Sequence, residues 1–136
     1  RKTGILFALL AAAWLGLACA HPPLEAGTLL VTATAYNSLP GQTEGDPSLA
    51  AWGDRLEPGM RAIAVSRDLL ALGLAYRSRV RIEGLPGEYL VLDKMGPRWQ
   101  RRIDIYMGND REAALLWGKR SVRIAWSPES ASLAVR

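Results

Sequence analysis

The apolar and polar positions of this chain change period several times, and each change marks a candidate element. Gly4 to Leu17 is an almost unbroken apolar run behind Arg1 and Lys2, with Ala18, Cys19 and Ala20 following. A positive start, an apolar stretch and small residues in that order predict a secretory signal peptide over 1–20. His21-Pro22-Pro23 then reads as an extended linker over 21–27, and the folded domain is expected over 28–126. The segment 127–136 holds no folding pattern and reads as a tail.

Within the domain, runs of β-branched, aromatic and alternating residues predict six short strands: Leu29 to Tyr36, Arg61 to Val65, Arg79 to Glu83, Glu88 to Leu92, Arg102 to Tyr106 and Val122 to Trp126. The alternation is cleanest at Arg79-Val80-Arg81-Ile82-Glu83 and at Arg102-Ile103-Asp104-Ile105-Tyr106. One face of each segment is apolar and the other polar, as a half-buried strand requires. Ser66-Arg67-Asp68-Leu69 can cap a brief helix that Gly73 ends. Asn109 and Glu112 are spaced like a capping box before a helix over Arg111 to Trp117, which Gly118 stops. Leu39 to Pro58, polar and rich in Gly and Pro, reads as a long loop. So many short strands in one small domain leave edges that must be closed, which predicts a mainly β, barrel-like fold with two short helices.

Charge narrows the function classes only modestly. Seventeen basic and thirteen acidic residues give a net charge of +4, too small an excess to suggest nucleic acid and compatible with an acidic polymer. Cys19 is the single cysteine, so an internal disulfide is excluded. Cys19 also ends Leu15-Gly16-Leu17-Ala18-Cys19, which has the look of a lipoprotein box. Export to the periplasm or cell envelope is therefore expected, either free or attached to the outer membrane through a lipidated Cys19.

The one histidine, His21, falls in the Pro-rich linker, so zinc sites and Ser–His designs lack their usual groups. No Gly-rich phosphate loop is present, and neither cofactor nor metal is expected. Carboxylates remain, and glycosidic cleavage is a reaction that runs on carboxylates alone. Asp104 stands mid-strand, where Asp is disfavoured, on the face opposite Ile103 and Ile105. Asp93 ends its strand before Lys94-Met95-Gly96-Pro97. The plainer readings are a local turn bond for Asp93 and an ion pair with Arg101 or Arg102 for Asp104.

An ordered set of segments adds to this: Val31-Thr32-Ala33-Thr34-Ala35-Tyr36-Asn37, Ile63-Ala64-Val65-Ser66, Leu72-Gly73, Val80 to Gly84, Val91-Leu92-Asp93, Arg102 to Tyr106, and Glu112-Ala113 through Trp117-Gly118. Together they resemble the three-aspartate ("3D") domain of membrane-bound lytic transglycosylase A and of stationary-phase survival proteins. That resemblance implies a six-stranded double-psi β-barrel crossed by a groove. It also implies cleavage of the N-acetylmuramic acid–N-acetylglucosamine bond of peptidoglycan at two aspartates, matching Asp104 and Asp93. On that expectation Asp104 serves as acid and then base, and Asp93 is its charged neighbour. Thr34, Tyr36, Trp52 and Arg102 are expected to bind substrate, with Trp99 as a further sugar-stacking contact and Arg98, Arg101 and Arg102 pairing with stem-peptide carboxylates. The family's third aspartate falls on Ser66, with Asp68 two residues on, and its Thr-Gly pair is replaced by Lys94-Met95. The expected partner is the peptidoglycan glycan strand, and a monomer is expected. The alternative reading is a non-catalytic peptidoglycan- or polysaccharide-binding barrel; a simple hydrolase, with Asp93 activating water, is a third.

Overall fold

The computed structural model describes residues 27–39 and 45–127. The signal peptide, Cys19, most of the linker and almost all of the tail lie outside the described residues. Six strands and two helices follow in the order β1 (Gly27–Tyr36), β2 (Ala62–Val65), α1 (Arg67–Ala71), β3 (Arg79–Ile82), β4 (Tyr89–Lys94), β5 (Arg102–Tyr106), α2 (Arg111–Trp117) and β6 (Arg120–Trp126). The strands close into a barrel in the order β1-β5-β2-β4-β3-β6. Two neighbouring pairs, β1–β5 and β2–β4, are parallel, and the others are antiparallel. Parallel neighbours cannot be joined by a hairpin, so the chain must cross over the barrel between them. This mixed, closed, six-stranded arrangement is that of a double-psi β-barrel.

Period-two alternation does the sorting of side chains. Val31, Ala33, Ile63, Val65, Val80, Ile82, Val91, Ile103, Ile105, Val122 and Ile124 turn inward and form one core cluster. Their β-branched shapes suit a pleated surface, and each fully buried aliphatic chain contributes about 1.5–3 kcal/mol. Leu69 of α1, Leu74 after it, Trp117 of α2 and Trp126 of β6 join the same core. A second cluster forms outside the barrel, where Ala50 and Leu56 of the long loop cover Ala62, Leu92 and Tyr106.

Several element ends differ from the sequence expectation. β1 starts at Gly27 because that residue pairs with Trp126, and β6 starts at Arg120, where it pairs with Ala33. β4 runs on through Asp93 to Lys94 because both pair with β2. The expected capping box of Asn109 and Glu112 is replaced by Asp110, whose carboxylate accepts the Ala113 N–H at 2.9 Å. Ser66 does precede α1, yet its hydroxyl makes no cap bond. It accepts the Arg102 N–H at 2.9 Å instead, while the Ser66 N–H donates to the Arg102 carbonyl.

Two contacts position α2 beside the barrel. Asn37 is buried, and its Nδ2 is shared among the carbonyls of Met107, Gly108 and Asp110 at 3.0–3.3 Å. The turn before α2 is thereby fastened to the end of β1. Gly108 allows this turn because its φ is +57° and Pro58 lies so close that a Cβ would meet it at 3.1 Å.

Candidate functional site

The closed barrel brings one row of residues together on its outer face. Thr34 of β1 is opposite Asp104 of β5, Asp104 is opposite Ala64 of β2, and Ala64 is opposite Asp93 of β4. The four positions occupy adjacent strands, so the two aspartates are separated by two strand spacings, about 9–10 Å between Cα atoms. Asp93 reaches this row through a register shift at the Ile63/Ala64 step, which inserts Leu92 as an extra residue on β4. Such a bulge re-aims the side chains that follow it. Here it sends Leu92 into the outer cluster and Asp93 into the row.

A groove of about 690 Å³ lies over the row. Tyr36, Ala64, Asp93 and Asp104 line it together, the 94–99 segment contributes Lys94 and Trp99, and the 46–49 segment contributes Asp46 and Leu49. Arg111, Ala114 and Leu115 of α2 also line it. Lys94, Asp46, Arg111 and the α2 residues carried no signal in the sequence, because their helical or loop spacing says nothing about which strand face they will overhang.

The two carboxylates differ in environment. Asp104 Oδ1 accepts from the Thr34 hydroxyl at 3.0 Å. Burial pushes the Asp104 carboxyl above the usual range; the Thr34 bond and the Arg102 charge oppose this, and the Asp93 charge adds to it. No ion pair to Asp104 forms among the described residues. Asp93 Oδ1 accepts two backbone N–H groups, from Ala51 and from Lys94, each at 2.9 Å. One oxygen of Asp93 thus pins the 46–55 loop to the barrel. Tyr36 edges the groove, and its buried hydroxyl has no hydrogen-bond partner in good geometry among the described residues. Burial first, and then the Asp93 and Asp104 charges, push the phenol far up.

The other sequence-expected residues are placed variously. Thr34 is the hydrogen-bond partner of Asp104. Trp52 stands away from the groove lining and packs on Tyr76, ring centroids 4.9 Å apart, with the Lys94 ammonium 5.5 Å from its ring. Trp99 does line the groove, but the Arg102 and Arg98 guanidinium groups lie 4.0 and 4.5 Å from its ring centroid. The Arg102 guanidinium thus rests on an aromatic face. Arg101 has a positive φ of 48° and donates its N–H to Asp68 at 2.8 Å. Asp68 itself does not line the groove. Burial raises its carboxyl, yet bonds from Ser66 and the Arg101 N–H outweigh this and hold it low. Ser66, at the third-aspartate position, is fully buried.

No family model and no curated protein matches this chain. Among solved structures, it is similar to the apo form of a Clavibacter michiganensis expansin and to a mutant of that expansin in complex with cellohexaose. Each match has 18% identity and a TM-score of 0.48, over 74% of this chain and 50% of the other. The chain thus spans half the length of the expansins it matches.

The expected lytic transglycosylase activity, and with it the enzyme assignment and peptidoglycan as partner, is corrected. Among the described residues, no three His, Cys, Asp or Glu side chains gather closely enough to hold a metal ion. The local geometry gives the physical reason. The position expected to carry a third carboxylate is a buried serine, its neighbour Asp68 is tied up outside the groove, and one oxygen of Asp93 is committed to two backbone donors.

Proposed function

We propose that the chain is a non-catalytic polysaccharide-binding barrel whose groove receives a stretch of glycan. The observation that carries this reading is the groove itself, about 690 Å³, with carboxylate acceptors on its floor and mixed aromatic, aliphatic and charged walls. Its volume is that of a ligand site. A sugar ring offers hydroxyl donors around its edge and C–H groups on its faces. Asp93 and Asp104 supply acceptors for the first, and charge-assisted bonds to carboxylates are the stronger kind. Tyr36, Leu49 and Leu115 supply apolar surface for the second. Export, expected from residues 1–20, would put the barrel where structural polysaccharides are found. Kinship with three-aspartate domains is proposed at the level of the barrel and not of its chemistry.

The test is co-sedimentation of the protein with insoluble cellulose and chitin, together with calorimetric titration by cellohexaose and chitohexaose. Retention on at least one polymer without release of soluble sugar is expected, with weaker binding by Asp104→Ala. Absence of binding to every polymer and oligomer tried refutes the reading. Soluble fragments produced by wild type and lost in Asp104→Asn would replace it with an enzymatic one.

A further inference from the structure

The 94–102 segment collects positive charge from three elements. Lys94 ends β4, Arg98 sits in the turn that follows, and Arg101 and Arg102 lead into β5. Arg67 of α1 reaches across to the same turn and donates its Nε–H to the Met95 carbonyl at 3.4 Å. The Arg98 and Arg102 guanidinium groups both lie against the Trp99 ring. Arg67, Lys94, Arg98 and Arg101 are exposed. None of these five side chains forms an ion pair among the described residues, whereas Arg55, Arg79 and Arg81 do. Nearby Asp68 accepts the Arg101 backbone N–H. Like charges gathered in this way repel one another, a cost that a bound anion would offset. The same segment is also a wall of the groove, through Lys94, Met95, Gly96 and Trp99.

We infer that the 94–102 wall takes up the carboxylates of an acidic, uronate-bearing polysaccharide lying in the groove. The inference deepens the polysaccharide reading and rests on it. A uronic acid ring carries hydroxyl donors and a carboxylate on one residue. The groove answers both, with carboxylate acceptors among its lining residues and cations along one wall. A neutral glycan would leave those cations unmatched. A nucleic acid would meet them with phosphates, but its charged edge carries no donors for the acceptors. Guanidinium groups suit the task because their forked N–H donors match the two oxygens of a carboxylate. A guanidinium stacked on an aromatic ring uses its flat face, so the donors along its edge stay available.

The experiment is calorimetric titration with hexagalacturonate, cellohexaose and a single-stranded DNA oligomer of matched charge, at low and high salt. At low salt, wild type is expected to bind hexagalacturonate at least about tenfold more tightly than cellohexaose, a difference of about 1.4 kcal/mol. Most of that preference should vanish in about 1 M salt, where charges are screened within about 3 Å. A double variant, Arg67→Gln with Arg98→Gln, should bind hexagalacturonate at least about fivefold more weakly and cellohexaose unchanged. Both side chains are exposed, and thermal unfolding checks that the variant is folded. Arg67→Lys with Arg98→Lys keeps the charge and should retain most of the affinity. Arg79→Gln with Arg81→Gln removes equal charge from the pairs with Glu88 and should leave binding within about twofold of wild type. Equal affinity for the acidic and neutral oligomers, or an acidic preference that survives salt or the Arg67 and Arg98 changes, overturns the inference and leaves polysaccharide binding standing. DNA bound as tightly as hexagalacturonate, or equal losses in the Arg79 and Arg81 variant, overturns it in favour of general polyanion attraction. Failure to bind the acidic and neutral glycans alike removes both readings.

Discussion

Replacing Ser66 by alanine isolates the contribution of a buried hydroxyl at the position where the sequence resemblance placed a carboxylate. Ser66 is fully buried, and its Oγ accepts the Arg102 N–H at 2.9 Å. Alanine leaves that donor in place with no acceptor and no room for water in the volume of one oxygen. An unmet buried donor costs about 1–3 kcal/mol, against a negligible change in apolar packing. For a domain of this size, each kcal/mol moves the thermal midpoint by about 4–8 °C, so a loss of several degrees to about 20 °C is expected. Asp68 accepts the adjacent Arg101 N–H at 2.8 Å, so the two side chains together hold the backbone that enters β5. In a double-mutant cycle, Ser66→Ala and Asp68→Asn should therefore couple by about 0.5 kcal/mol or more, in the sense that the second change costs less once the first is made. Urea unfolding followed by tryptophan fluorescence measures all four proteins. A midpoint unchanged by Ser66→Ala, or strictly additive losses in the double variant, would refute the assignment of Ser66 to a structural network.

Three further outcomes are expected. Asp110→Ala removes the acceptor for the Ala113 N–H and should cost about 1 kcal/mol in urea unfolding, while Asp110→Asn should recover most of it. Asp104 has a folded pKa above its usual 3.8, so its effect is most favourable to folding below 3.8 and is lost as pH rises through the folded value. The stability of Asp104→Asn relative to wild type should accordingly increase as pH is raised through that window, and a pH-independent difference would contradict the burial argument. Tyr36→Phe deletes a buried hydroxyl that has no partner among the described residues, so the variant should be no less stable than wild type, and a loss above about 1 kcal/mol in unfolding would show that the hydroxyl is bonded after all.

Individual strands were legible because their signal is local. Arg79 to Ile82 and Arg102 to Tyr106 alternate in sequence, and the structure buries the same alternate residues that the pattern marks as inward. Capping was legible to within one residue: Asn109 and Asp110 are both competent caps by composition, and only the backbone at Asp110 turns a carboxylate onto the Ala113 N–H. Trp52 and Arg102 show the opposite case. Their side chains suit sugar recognition in the abstract, but Trp52 packs on Tyr76, twenty-four positions on, and Arg102 on Trp99 across a turn that only the backbone after β4 sets.

By itself, then, the order of residues determined the elements, the inward faces and the barrel-like class, since side-chain direction in a strand follows from backbone sterics within two or three residues. The tertiary structure alone decided that Thr34, Asp104, Ala64 and Asp93 share one row, because strand pairing is set by barrel closure between segments up to seventy positions apart. It also decided which way Asp93 faces, through one extra residue on β4, and which walls rise over the row. Two aspartates in a recognisable order therefore suggested chemistry, while their hydrogen-bond partners, supplied by another strand and a loop, set the environment of each carboxylate.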